Sequence, residues 1–123
     1  MAFADPAVVT INAVAKNLVR INQDGYGSTY RLRSALDDIT LLVKNTSYFS
    51  KKLGQNIDRH SVDITQTVFP TSTLPSYTRH CYIVIENQQG DTLTDPVNVA
   101  SGILSYLTAG SNANLNKLMN SES

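Results

Sequence analysis

The chain has 123 residues, 41% of them hydrophobic and 16% charged, with a formal net charge of zero. That is one domain's worth of chain, with too much apolar content for disorder, and its folding removes roughly two-thirds of the unfolded surface, enough for a modest core without metal or disulfide staples. Neutrality excludes a long-range pull toward nucleic acid or membrane, so any such contact has to be a local patch. The single cysteine, Cys81, excludes an intramolecular disulfide. Its setting, from His80 to Ile85, reads as a strand in which it is a small buried hydrophobe. The N-terminus lacks a basic region followed by an apolar run, and no stretch approaches the ~20 apolar residues of a membrane span. The expectation is synthesis in the cytoplasm.

The first two-thirds of the chain read as strands. Ala7–Ile11 and Leu18–Asn22 flank Asn12–Asn17 as a hairpin, and Asp24, Gly25 and Gly27 mark the turn after it. Ser28–Arg33 alternates polar and apolar residues, as a half-buried strand does. Ile39–Lys44 is a further strand, Tyr48–Leu53 is ambiguous, and Gly54-Gln55-Asn56 is a break. The clearest pair comes next. Asp58–Phe69 places His60, Val62, Ile64 and Val68 on one side, with Arg59, Ser61, Asp63, Thr65 and Thr67 on the other. After the stiff loop Pro70-Thr71-Ser72-Thr73-Leu74-Pro75, Tyr77–Asn87 returns as a long strand. Matching the apolar faces puts Cys81, Ile83 and Ile85 with Val62 and Ile64, and His80, Tyr82 and Glu86 with Arg59, Ser61, Asp63 and Thr65.

The pattern changes after Gln88-Gln89-Gly90-Asp91. Asp95 is the expected N-cap of a helix with Pro96 at its first position. Val97, Ala100, Ile103, Leu104 and Leu107 follow at helical spacing and Gly110 ends it. Asn112 caps a second, short helix carrying Leu115, Leu118 and Met119, and the last four residues are expected to fray. The expected organisation is an α+β chain in a single domain over 1–123: a hairpin (1–23), an antiparallel meander (24–90) and two helices (94–120). Helices of this length cover only part of such a sheet, which points to a second subunit for the rest.

Catalytic signatures are missing. The sequence contains no glycine-rich phosphate loop, nucleophile elbow or metal motif. His60 and His80 fall on opposite faces, which argues against a shared metal, and His60 reads as a satisfied core residue. Asp58 and Asp63 also face opposite sides and cannot form an acid/base dyad. Asp37 and Asp38 read as a solvated turn. A calcium ion at a subunit interface is the one metal option they leave, and otherwise no cofactor is expected.

One sheet face gathers a different chemistry. Arg31 and Arg33 lie on one side of their strand; Thr40, Lys44 and Thr46 follow on the next, then Arg59 and Ser61, then Tyr82 with His80. A wet sheet face suits solvent equally well. As a binding platform it offers phosphates Arg and Lys, and an unstacked base the ring of Tyr82.

Segment order and several local strings resemble the coat proteins of the small icosahedral RNA phages. Leu18-Val-Arg-Ile-Asn-Gln-Asp-Gly-Tyr26 is similar to the end of that family's hairpin and its following turn, most of all to the Caulobacter RNA phage coat protein. Arg59–Val68, Pro70–Pro75 and Tyr77–Glu86 resemble the strand, inter-subunit loop and strand that follow. The resemblance implies an N-terminal hairpin outside a five-stranded antiparallel sheet, two helices on one face, and dimers with one continuous ten-stranded sheet. It implies a virion component that closes into an icosahedral shell around single-stranded RNA, with a phage maturation protein as a further partner and, in some members, repression through an RNA operator hairpin. The RNA-binding positions it implies are Thr40, Lys44, Thr46, Arg59, Ser61 and Tyr82; the inter-subunit loop is Pro70, Thr71, Ser72, Thr73, Leu74 and Pro75. Asp63 and Glu86 depart from the pattern by adding negative charge to that face. The alternatives are an RNA-binding regulator that does not assemble and, with less support, an α/β sandwich enzyme.

Overall fold

The computed structural model describes residues 3–122; the ends of the expected hairpin unit and tail, residues 1, 2 and 123, lie outside the described residues. Six strands run in chain order: β1 (Ala7–Ile11), β2 (Val14–Gln23), β3 (Gly27–Arg33), β4 (Asp37–Ser50), β5 (Gln55–Val68) and β6 (Tyr77–Gln88). They form one six-stranded antiparallel meander with β1 and β6 at its edges, not a hairpin outside five strands. The physical reason is that β2 is ten residues long and serves two partners. Its first half pairs with β1 (Ile11↔Val14 to Ala7↔Leu18) and its second half with β3, with a register shift between Arg20 and Asn22. The turn before it is only Asn12 and Ala13, with φ of 53° and 62°, so the chain enters β2 four residues sooner than the apolar pattern suggests.

The hairpin is folded onto the sheet. Leu18, Tyr30, Ile39, Leu41 and Val43 form the core, and Ala7, Val9 and Ile11 of β1 pack against it with Leu32, Val62 and Ile64. Tyr30 is fully buried. Its hydroxyl accepts from Arg20 at 2.9 Å, whose guanidinium also lies 5.3 Å from the ring centroid, so the buried phenol keeps a polar partner.

The helical run α1 (Asp95–Met119) is two helical segments joined across a kink at Ala109–Asn112, the expected break, where the dihedrals leave the helical region and Gly110 sits at φ 64°; what differs is the capping. The N-cap is Thr94, one residue before the expected Asp95, and it makes no side-chain cap bond. Asp95 is tied instead to Thr92, whose hydroxyl donates to its carboxylate at 2.8 Å. The expected frayed tail is wound into a capping turn through Glu122, whose N–H reaches the Lys117 carbonyl at 2.9 Å. No residue of α1 is buried, and β6 is the one strand it packs along to any extent.

Three side chains depart from the sequence reading. Cys81 is exposed: it lies on the edge strand and borders an open depression with Ile11 of the hairpin, which does not cover it. His60 is exposed on the apolar face and satisfied by Asn45 at 2.8 Å rather than by a core. Asp37 is buried, not solvated: Ser34 Oγ donates at 2.7 Å and Gln66 Nε2 at 2.8 Å. Asp38, its neighbour, turns to the other face and pairs with Arg31, so the two carboxylates diverge.

The bonds from Gln66 and then Ser34 hold the Asp37 carboxyl below the usual carboxylate range. A depressed folded value means the stabilisation is fully present above the ordinary value of 3.8 and is lost as the pH falls through the folded one. Asp37→Ala is therefore expected to cost about 1–3 kcal/mol near neutrality, by leaving the donors unpaired and losing charge-assisted bonds. Denaturant unfolding of parent and variant checks this: the gap should be full above pH 5 and close in acid, and a gap that persists unchanged in acid would show that ionisation plays no part.

Candidate nucleic-acid interface

Strand alternation sorts the sheet into two faces with opposite chemistry. On the first, Val43, Val62 and Ile83 lie in one row across β4–β6, and Leu41, Ile64 and Cys81 in the next. On the second, the rows are Thr40, Thr65 and His80; Leu42, Asp63 and Tyr82; Lys44, Ser61 and Val84; and Thr46, Arg59 and Glu86. β3 adds Arg31 beside Thr40 and Gly27 beside Lys44. All six positions expected from the sequence, Thr40, Lys44, Thr46, Arg59, Ser61 and Tyr82, thus share one face. Lys44, Thr46, Arg59 and Tyr82 are exposed, Thr40 and Ser61 half-buried.

The carboxylates of this face are all occupied. Arg31 holds Asp38 through two bonds of 3.0 and 2.6 Å, which lower the Asp38 pKa and raise that of Arg31. Asp63 accepts from His80 Nε2 at 2.6 Å, and Glu86 accepts from the Tyr48 hydroxyl. That bond with Glu86 raises the pKa of the Tyr48 phenol. Lys44 and Arg59 take part in neither of the ion pairs found among the described residues. Arg33, on the same face, is in neither pair but lies 5.5 Å from the Phe69 ring centroid, which leaves Lys44 and Arg59 as the cations without a side-chain partner among the described residues of this face, while the acids have local donors.

The sequence reading missed three features. Ile57 is 4% exposed, although it lies in register with Tyr48 on the polar face. The apolar alternation begins that strand at Asp58, one residue after Ile57, whereas β5 begins at Gln55. Tyr26 borders a depression that also holds Lys44 and Thr46 and is 77% exposed; only its place among turn glycines marks it. The His80 ring packs beside Tyr82, with centroids 5.2 Å apart and planes 33° from parallel. The loop Pro70–Pro75 is exposed throughout, and the Leu74 N–H closes it on Thr71 Oγ1 at 3.0 Å. Among the described residues no cluster of three potential ligands could hold a metal. No described helix is long and apolar enough to cross a membrane.

A folded-over hairpin, an antiparallel meander and a long helix lying off the sheet edge define the architecture of a bacteriophage coat protein, and the comparisons agree. The family model for the coat protein of phage phiCb5 matches residues 4–88, which takes in all six strands. The chain belongs to that family and is a structural component of the phage capsid. The bacteriophage EMS014 coat protein has the same fold: TM-score 0.66 and 16% identity, covering 98% of both chains, the helical end included. No curated protein matches the chain in sequence.

Proposed function

We propose that the chain works as an obligate dimer that assembles into an icosahedral shell around single-stranded RNA. The observation that carries this is the uncovered apolar surface around β6. Ile83 is 39% exposed, and on α1 Ile103 and Leu104 are 53% and 40% exposed. A groove of about 610 Å³ between the sheet and α1 is lined by Leu53, Ile83, Ile85 and Val99 among others, with the polar-face residues Tyr48, Ile57 and Glu86 at its margin. Full burial of one such side chain is worth about 1.5–3 kcal/mol, so a second copy that covers several outweighs the loss of association entropy. In the dimer, β6 edges meet, giving a continuous sheet of twice the strands, and each α1 lies over the partner's apolar face.

RNA then lies on the opposite, polar face, inside the shell. Lys44 and Arg59 meet phosphates, the hydroxyls of Thr40, Thr46 and Ser61 accept or donate locally, and Tyr82 takes an unpaired base. The same face is suited to an operator hairpin at a translation start, and the maturation protein is a further partner in the shell. The subunit is made in the host cytoplasm. The loop Pro70–Pro75 meets its copies around symmetry axes, where its prolines reduce the entropy lost on ordering.

Sedimentation of protein released from particles under mild conditions should show dimers down to micromolar concentration, and a well-folded monomer there would overturn the dimer. Deletion of Thr71–Leu74 should leave that dimer intact but impair or alter particles in electron microscopy; normal particles would reduce the loop to a connector. Alanine at Lys44 and Arg59 together should weaken RNA binding by dimers and flatten its dependence on salt, since each lost phosphate contact releases fewer counterions. Tyr82→Ala should cost on the order of 1–3 kcal/mol with little change in salt slope. Filter binding at several salt concentrations separates these, and variants that bind like the parent would put the RNA elsewhere. RNA binding without particles from the parent chain would favour the non-assembling regulator.

A further inference from the structure

We propose that Tyr82 does not act alone: His80 is a positioning residue for the base platform, and Asp63 belongs to the platform rather than opposing it. The inference rests on the reading that RNA lies on the polar face, and it assigns a role to a carboxylate that would otherwise repel the ligand.

Asp63 lies directly opposite Tyr82 across β5 and β6, and His80 is the diagonal neighbour two residues along β6. Diagonal pairs on one sheet face are within reach of long and aromatic side chains. The Asp63 carboxylate takes that reach and accepts from His80 Nε2 at 2.6 Å. An ionised carboxylate only accepts, so Nε2 carries the proton. The bond fixes the imidazole plane, and the imidazole lies 5.2 Å from the Tyr82 ring at 33° to it. In the isolated subunit Tyr82 is 62% exposed, and its hydroxyl makes no hydrogen bond among the described residues. An unsupported ring in that position loses rotamer freedom on binding a base, which subtracts from the stacking energy. With His80 behind it, the ring is already restrained and its open side is presented to the ligand. The ligand class is an unpaired nucleobase of single-stranded RNA, with purines favoured by their larger stacking area.

The consequence is a reversal of sign. If Asp63 were only a negative charge on the face, its removal would strengthen RNA binding. As the anchor of His80, its loss weakens binding. The probe is an eight-nucleotide oligoadenylate, bound by dimers of the parent and of His80→Ala, His80→Phe, Asp63→Ala and Asp63→Asn at two salt concentrations. His80→Ala should weaken binding by about tenfold, within the range of one stacking contact, with the salt slope unchanged. His80→Phe keeps a ring behind Tyr82 and should recover most of that loss. Asp63→Ala should weaken binding, whereas Asp63→Asn, which keeps an acceptor and loses the charge, should bind at least as tightly as the parent. Tighter binding by Asp63→Ala, or parental binding by His80→Ala, overturns the proposal. The double alanine variant at Lys44 and Arg59 separates the two readings. If it loses affinity while the His80 variants do not, only the platform fails. If none loses affinity, the RNA is not on this face and both readings fall.

Discussion

The uncovered edge of the sheet is the constraint on which the rest of the molecule depends. A meander of six strands has two edges, and the chain treats them differently. β1 is short and folded over the core, so its apolar side chains are already used. β6 runs for twelve residues, carries Cys81, Ile83 and Ile85 on its apolar side, and none of the described residues pairs with its outer backbone. A long, flat, partly apolar edge invites pairing with another chain. Natural monomers blunt such edges with charge, proline or a covering helix. Here α1 packs only loosely along β6, with none of its residues buried. The same surface that would be a liability in a monomer is the feature that a shell-forming subunit requires.

That constraint also divides the labour between the two sheet faces. The hairpin covers Ile39, Leu41 and Val43 from one side, which leaves the region around His60, Ile83 and Ile85 for a partner. The hairpin's cover is directed to one face, and the other stays largely open and polar, except at its far end, where Tyr48, Ile57 and Glu86 line the groove beside α1. Its charges are arranged by local pairing rather than by net excess. Asp38, Asp63 and Glu86 each have a donor within the face, so a chain with zero net charge still presents Lys44 and Arg59 as free cations. A neutral protein with a local basic patch avoids non-specific attraction to nucleic acid at a distance while keeping contact at short range.

Much of this was legible in the residues. Alternation alone put Val62, Ile64, Cys81, Ile83 and Ile85 on one face and Arg59, Ser61 and Tyr82 on the other, because a period of two leaves no third arrangement. The pairing Val62↔Ile83 and Ile64↔Cys81 follows the same logic. What the pattern missed has specific causes. Ala15, Lys16 and Asn17 are poor strand formers held in β2 by pairing with β1, a tertiary effect. Asn45–Ser50 lacks an apolar alternation because that end of β4 is paired with β5 but not backed by core. The burial of Cys81 was overestimated because the pattern marks its face, while exposure depends on what lies above that face. The Asp63–His80 bond is diagonal, so it could not be read even from a correct register.

The account turns on whether the outer backbone of β6 is paired in the assembled protein. Hydrogen exchange of the β6 amides, measured on dimers with residue resolution, tests this most directly. Alternate N–H groups of Tyr77–Gln88 point toward β5 and the rest point away from it. Edge-to-edge pairing predicts slow exchange for both sets through the middle of the strand, with protection lost together when the dimer dissociates. Fast exchange confined to the outward set, in a protein that remains dimeric, would contradict a continuous sheet and require the subunits to meet through some other surface.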